Sequence, residues 1–199
     1  MGFEKIIKYV IAFLNLPRLI FHLLFYCIYM GKCKDDIAVA LKHRWESGGN
    51  HVLGFLFLIV WDKTYRNIFY FRIGAWKYLI QWLAPPHNSF EIYTHADIAP
   101  GLLGVHPFAT YINAEKVGRN FVIRNNVTIG VNDDGKRPII GNNVTINVNS
   151  VVFGHITIGD NVVIGAGTVV YKDVPPNCVV VGNPARIVRC NGIKVNEKL

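Results

Sequence analysis

Residues 140–189 read IGNNVTINVNSVVFGHITIGDNVVIGAGTVVYKDVPPNCVVVGNPARIVR, and their spacing decides the fold. An aliphatic residue returns at every sixth position: Ile140, Ile146, Val152, Ile158, Ile164 and Val170. Upstream, the same step runs through Val105, Tyr111, Val117, Ile123 and Ile129. A second apolar stripe lies four residues on, at Phe121, Val127, Val144, Ile156, Val162 and Val174. Six-residue self-similarity marks a stacked β-solenoid. A helical period of 3.6 or a strand period of two does not explain it. Each hexapeptide is expected to make one short strand and one corner, with the repeated residue pointing into a narrow core. Gly or Asn often follows the repeated position, and both suit a corner because they tolerate positive φ. The step from Ile129 to Ile140 is eleven residues, one short of two repeats. It contains VNDDGKRP (131–138), whose Asn, Asp, Gly and Pro predict a loop.

The chain has 199 residues, is 51% hydrophobic and 17% charged, and carries a formal net charge of +8. That is enough apolar chain for one or two domains with a sizeable core. Residues 1–100 hold 11 basic against 7 acidic side chains, and residues 101–199 hold 10 against 6. The excess is therefore spread along the chain and is no basic tail. It points to an anionic membrane surface or a phosphorylated ligand. No nucleic-acid-binding signature is present, so nucleic acid is not an expected partner. Cys27, Cys33, Cys178 and Cys190 form no CxxC pair and no metal-ligand cluster, so they read as unpaired thiols and no metal is expected.

Upstream of the repeat the chain is apolar and aromatic. Ile6–Leu16 and Leu19–Met30 are apolar stretches broken by Lys8, Pro17, Arg18 and His22. Neither supplies the ~20 apolar residues of a spanning helix. Asp35–Ser47 reads as a surface helix, His51–Trp61 as an apolar one, and Thr64–Leu83 mixes aromatics with Arg66, Arg72 and Lys77 before Pro85-Pro86. Two readings stand for this half. One is a helical cap or trimerisation domain packing its own aromatics. The other is a peripheral, in-plane membrane anchor with aromatics at the interface and Lys/Arg at the head groups.

From Gly101 to Arg189 the sequence resembles the hexapeptide-repeat acyltransferases, in the branch of serine acetyltransferases and surface-polysaccharide O-acetyltransferases. GLLGVHPFATYIN (101–113), VGRNFVIRNNVTIG (117–130) and the 140–189 stretch carry the resemblance, and IGAG, VPP and GNPAR are its most specific pieces. It implies an N-terminal α-helical domain (1–92) followed by a left-handed parallel β-helix, a hexapeptide-repeat solenoid (93–190), with a C-terminal tail (191–199). It also implies a homotrimer, acetyl-CoA as co-substrate held between neighbouring β-helices, and a cytoplasmic location, at the inner face of the membrane if the front half is an anchor.

Acetyl transfer from a thioester to a hydroxyl needs a neutral imidazole to take the hydroxyl proton and an N–H donor for the oxyanion. His106 in GVHPFATYI stands where the family places its catalytic His, and His155 in VFGHITIG is the rival base. By the same resemblance Gly165, Ala166 and Gly182 border the cofactor, and Arg186 and Arg189 meet its phosphates. Three departures bear on the acceptor. Serine-specific members carry an acidic residue before the catalytic His, where this chain has Val105. They carry a second His before a Pro in the loop, where this chain has Arg137 before Pro138. The segment between the His106 motif and Val117 is also about one residue short of the family pattern. These changes favour a sugar hydroxyl of a glycan or lipid-linked precursor, with Arg137 as an acceptor-binding residue. Serine O-acetylation and a non-catalytic solenoid scaffold are the alternatives.

Overall fold

The computed structural model describes residues 3–45, 50–133 and 135–199. The chain divides into two compact units, Met1–Asn88 and Ser89–Leu199.

The first unit is helical: α1 (Phe3–Leu14), α2 (Leu16–Trp45), α3 (His51–Trp61), α4 (Lys63–Ile73), a 3₁₀ turn and the short α5 (Lys77–Ile80). The apolar stretch Leu19–Met30 and the surface stretch from Asp35 are one helix, α2. Its buried stripe of Leu19, His22, Tyr26, Cys33, Ile37 and Leu41 keeps a helical step straight across Gly31, so the glycine does not end it. The expected end at Ser47 lies outside the described residues. Pro17 sits in the first turn of α2, where its missing N–H costs no helical bond. At Asn15 the axes of α1 and α2 bend by 87°. No single described helix is long and apolar enough to cross a membrane.

Charged side chains buried in this unit find partners close by. Asp62 caps α4 by accepting from the N–H groups of Thr64 and Tyr65. Arg66, one turn into α4, donates to the carbonyls of Ile59 and Val60 at the end of α3 and to Pro85. Asp36 of α2 and Arg72 of α4 form a buried two-pronged ion pair at 2.8 and 3.0 Å.

His22 is fully buried, with Nε2 2.8 Å from Tyr70 Oη, and Tyr70 donates its own proton to Ala84 O at 2.7 Å. Nε2 therefore carries the imidazole proton, an assignment made from this network. Nδ1 is buried without a partner among the described residues, and protonating it would strand a charged N–H. Burial first, then Arg66 and Arg18, pushes the His22 pKa down to about 4. Between that value and the unfolded value of 6.5, the unfolded chain binds the proton and the folded chain does not, so stability falls as pH falls. Unfolding of the helical unit at pH 5 should cost about 2 kcal/mol less than at pH 7.5 on account of His22. The His22→Leu variant should lack that share of the slope; urea titrations at the two pH values that give equal slopes for both proteins would refute it.

The second unit is a three-faced parallel β-solenoid of five coils, as the six-residue period predicts. One face stacks Phe90–Ile92, Thr110–Ile112, Thr128–Gly130, Val151–Phe153 and Val169–Val170. The next stacks Asp97–Ile98, Lys116–Val117, Ile139–Ile140 and Thr157–Ile158. The third stacks Leu103–Val105, Val122–Arg124, Thr145–Ile146, Val163–Ile164 and Cys178–Val181. Val117, Ile123, Ile129, Ile146, Val152, Ile158, Ile164 and Val170 are fully buried, and the second stripe is buried with them.

Gly and Asn divide the corners by different physics. Asn120, Asn143, Asn161 and Asn177 adopt positive φ in successive coils, and their side-chain amides bond upward as a ladder at 3.0, 3.0 and 2.9 Å. Gly118 and Gly159 do not have positive φ. A Cβ on Gly118 would lie 2.5 Å from the carbonyl carbon of Gly141, and one on Gly159 2.6 Å from Pro176 N. Close stacking of coils, not a left-handed backbone, requires glycine there.

The structure departs from the sequence expectations at four points, the last being the reading of Cys178 and Cys190 as unpaired thiols. Tyr111 faces outward, and the inward residue of its strand is Ile112. The solenoidal unit begins at Ser89, ahead of the expected boundary at 92/93, because Phe90–Ile92 already pairs with Thr110–Ile112. Residues 191–199 are no loose tail: Ile193–Lys198 pairs antiparallel with Arg186–Cys190, which pairs in turn with Cys178–Val181. That turn sets Cys178 opposite Cys190, Cα atoms 4.2 Å apart, in a disulfide that the 12-residue spacing did not reveal.

Candidate active site

His106 stands on the corner between the third face and the first, at the level of the first coil. The strand register shows what is unusual there. Val105 pairs with Arg124 and Tyr111 with Thr128. Six residue steps thus cross the corner in the first coil where four suffice in the second. The two extra residues throw His106-Pro107-Phe108-Ala109 outward. His106 (φ 49°) and Ala109 (φ 50°) both adopt left-handed backbone, and His106 and Phe108 are exposed. Strained backbone of this kind persists only where its surroundings over-determine it, and it concentrates at functional sites. The same insertion shifts the repeat, which is why Tyr111 left the inward stripe.

Gly165, Ala166 and Gly182 lie on the same corner edge as His106, in the fourth and fifth coils. With strands ~4.8 Å apart, Gly165 is three coils, about 14 Å, along that edge from His106. Their roles differ from those expected. A Cβ on Gly165 would lie 2.7 Å from Val181 Cγ1, and its carbonyl accepts from Ser150 Oγ and Thr168 Oγ1 at 2.8 and 2.7 Å. Gly165 serves the packing of coils. Gly167 (φ 68°) and Gly182 (φ 93°) adopt left-handed backbone, which glycine takes at least cost, and a Cβ on Gly167 would enter open space. Gly167, Ala166 and Gly182 leave this stretch of the edge smooth enough for a ligand to lie along it.

Arg186 and Arg189 project from the antiparallel strand beyond the last coil. Arg186 Nε donates to Asn196 Oδ1 at 2.8 Å. On the neighbouring strand Arg186 faces Lys198 and Arg189 faces Lys194. Like charges set directly opposite each other are destabilising and favour an anion between them. Lys194 and Lys198 carry no motif of their own, and only the pairing of the last two strands brings them to the arginines.

Arg137 lies elsewhere. It leaves the corner between the first and second faces, at the end of the 131–138 loop, with its guanidinium 5.0 Å from the centre of the Tyr93 ring. Tyr93 packs on His95 at 5.5 Å. Burial, then the charge of Glu91 and the neighbouring Tyr93, raises the pKa of Tyr111 on the adjacent strand, so it is a neutral phenol at pH 7. His155 is exposed on this second edge, one coil above Arg137. One face of the solenoid, roughly 15–20 Å for five or six extended residues, separates this aromatic–cationic edge from His106. His106 and Arg137 of one chain therefore cannot act on the same atom. Arg124, which the sequence reading passed over, does adjoin His106: it pairs with Val105, and its Nε is buried without a hydrogen-bond partner among the described residues. No group of three metal-ligating side chains occurs among the described residues.

Comparison with known proteins bears on this geometry. The bacterial transferase hexapeptide (six repeats) family matches residues 137–172. The serine acetyltransferase of Bacillus pumilus is 42% identical over 145 residues, 70% of this chain and 67% of that protein. That of Synechococcus elongatus is 35% identical over 138 residues, 63% of this chain and 57% of that protein, so this chain spans little more than half its length. The galactoside O-acetyltransferase of Escherichia coli is 44% identical over 86 residues, 37% of this chain and 42% of that protein. A crystal structure of Neisseria gonorrhoeae serine acetyltransferase in complex with serine superposes with a TM-score of 0.64 at 29% identity, covering 80% of this chain and 69% of that one.

Proposed function

The chain belongs to the hexapeptide-repeat acetyltransferases and has their left-handed β-helix, and from that premise we propose that it is an acetyl-CoA-dependent O-acetyltransferase with His106 as general base. The observation that carries this is the single corner edge. It presents an imidazole on a bulged corner at one end and a smooth, glycine-lined track toward a cationic strand pair at the other. An elongated thioester ending in phosphates fits such an edge. Its phosphates would meet Arg186 and Arg189, with Lys194 and Lys198 beside them, and its arm would pass Ala166, Gly167 and Gly182. His106 takes the acceptor's hydroxyl proton as the oxygen attacks the thioester carbonyl. Collapse of the tetrahedral adduct breaks the C–S bond, and the thiolate recovers the proton from the imidazolium. Arg124 is placed to steady the developing oxyanion.

The separation of His106 and Arg137 supports a homotrimer in which the Arg137 edge of one copy faces the His106 edge of the next. Cyclic closure of three prisms makes three equivalent sites of this kind.

For the acceptor we favour a sugar hydroxyl on a glycan or a phosphate-linked precursor. Val105 is buried and apolar, so no carboxylate precedes His106 to pair with an amino acid's ammonium. Arg137, on its aromatic platform, suits an anionic acceptor. Serine is the second reading, supported by the names of the serine acetyltransferases that the chain is similar to. Initial rates with labelled acetyl-CoA decide between them. Glycan precursors from the membrane fraction should be acetylated faster than serine, and Arg137→Ala should slow that reaction about tenfold or more while CoA affinity holds. Saturating turnover of serine at cellular concentrations, unaffected by Arg137→Ala, would establish the serine reading instead.

A further inference from the structure

We infer that the outer face of α1 and the first half of α2 is a docking surface for an anionic lipid bilayer, with both helices lying in the plane of its head groups. The sequence of α1 places Ile6, Ile7, Val10, Phe13 and Leu14 at helical spacing on one stripe, and all five are exposed. The opposite side of α1 is already used: Tyr9 packs on Phe57, and Trp61 Nε1 donates to Lys8 O. In α2 the same division holds for half the helix. Leu19, His22 and Tyr26 are buried, while Ile20, Phe21, Leu24 and Ile28 are exposed on the other side. Beyond Gly31 the exposed positions turn polar, with Lys32, Lys34, Lys42 and His43. The apolar surface is thus bounded, and it continues onto Trp76, whose ring lies tilted against Phe25 at 5.7 Å, and onto the exposed Tyr78, Leu79 and Trp82. Contiguous apolar surface on this scale marks an interaction site.

Charge selects the occupant. Residues 1–88 hold eleven Lys and Arg against five Asp and Glu. The two buried or half-buried ion pairs, Arg72–Asp36 and Arg44–Asp62, take up two of those acids. Arg18, Lys32, Lys34 and Lys77 frame the apolar face. A second copy presenting this face would bring two cationic rims together, which is unfavourable. An anionic bilayer accepts the apolar stripe, the Trp and Tyr rim and the cations at once. The 87° bend and the short α1 fit a surface-lying pair, since α1 spans only ~18 Å against a ~30 Å hydrocarbon core.

The test is co-sedimentation of the full chain with vesicles of phosphatidylcholine, with and without phosphatidylglycerol. The protein should pellet with the anionic vesicles, less at high salt, and tryptophan fluorescence should be quenched by brominated acyl chains. Phe21→Glu/Leu24→Glu should reduce binding by about tenfold or more, whereas Ala38→Glu, on the polar half of α2, should leave it within about twofold. Both variants alter exposed positions and should unfold at the wild-type temperature. The inference fails if the protein stays in the supernatant with both vesicle types, if it binds both equally, or if Phe21→Glu/Leu24→Glu leaves binding intact. It fails equally if sedimentation shows a larger assembly that Phe21→Glu/Leu24→Glu dissolves, which would make the face a contact between copies.

Discussion

Replacement of His106 by Ala should lower acetyl transfer about 10²–10⁴-fold, the usual contribution of a positioned general base. The backbone at this position argues for a chemical role. The corner carrying His106 is two residues longer than the same corner of the second coil, so the extra length is not needed to turn the chain. CoA affinity should stay within about twofold, because the cofactor track starts roughly three coils away. His106→Asn keeps a small polar side chain that accommodates positive φ, so it separates strain relief from loss of the base. Both variants should be equally slow. A rate within a few-fold of wild type in either variant would move the base to His155 of the facing edge.

Asp36→Ala should destabilise the helical unit by about 3–5 kcal/mol, because it removes the carboxylate that holds the buried Arg72 guanidinium through two hydrogen bonds. Asp36 and Arg72 side chains are only 1% and 4% exposed, so no water replaces the missing carboxylate. The pair also joins the middle of α2 to the end of α4, holding the long helix against the rest of the unit. Replacing both residues by apolar ones of similar volume should recover most of the loss, since the penalty is the unpaired charge rather than the absent bond. Urea unfolding of the two single variants and the double variant measures this. A loss under about 1 kcal/mol for Asp36→Ala would mean that Arg72 finds another acceptor.

Much of this was legible in the sequence because a solenoid repeats its physics. Every coil buries the same position, so a six-residue period survives without knowledge of any contact. What escaped the sequence is what breaks the repeat. Val105, Tyr111 and Val117 keep the six-residue step by coincidence: an eight-residue step from Gly104 to Ile112 and a five-residue step from Ile112 to Val117 hide beneath it. The outward corner of His106 lives in that irregularity. Gly118 and Asn120 looked interchangeable as corner residues, yet one answers to inter-coil distance and the other to backbone sign. The separation of Arg137 from His106 was invisible because adjacency of motifs along a chain says nothing about which edge of a prism each occupies. The exposed stripe on α1 was hidden for a similar reason, since an apolar helix face is expected to pack inward and only the structure shows this one uncovered while Tyr9, on the other side, meets Phe57.

The central claim is acetyl transfer from acetyl-CoA to a hydroxyl along the His106 edge. The most direct measurement incubates purified protein with acetyl-labelled acetyl-CoA and candidate acceptors, and follows free thiol and labelled ester together. One thiol should be released for each acetyl ester formed, with both abolished in His106→Ala. Saturable CoA binding with no thiol release above the uncatalysed rate, for any hydroxyl acceptor, would contradict it and leave the chain a binding solenoid.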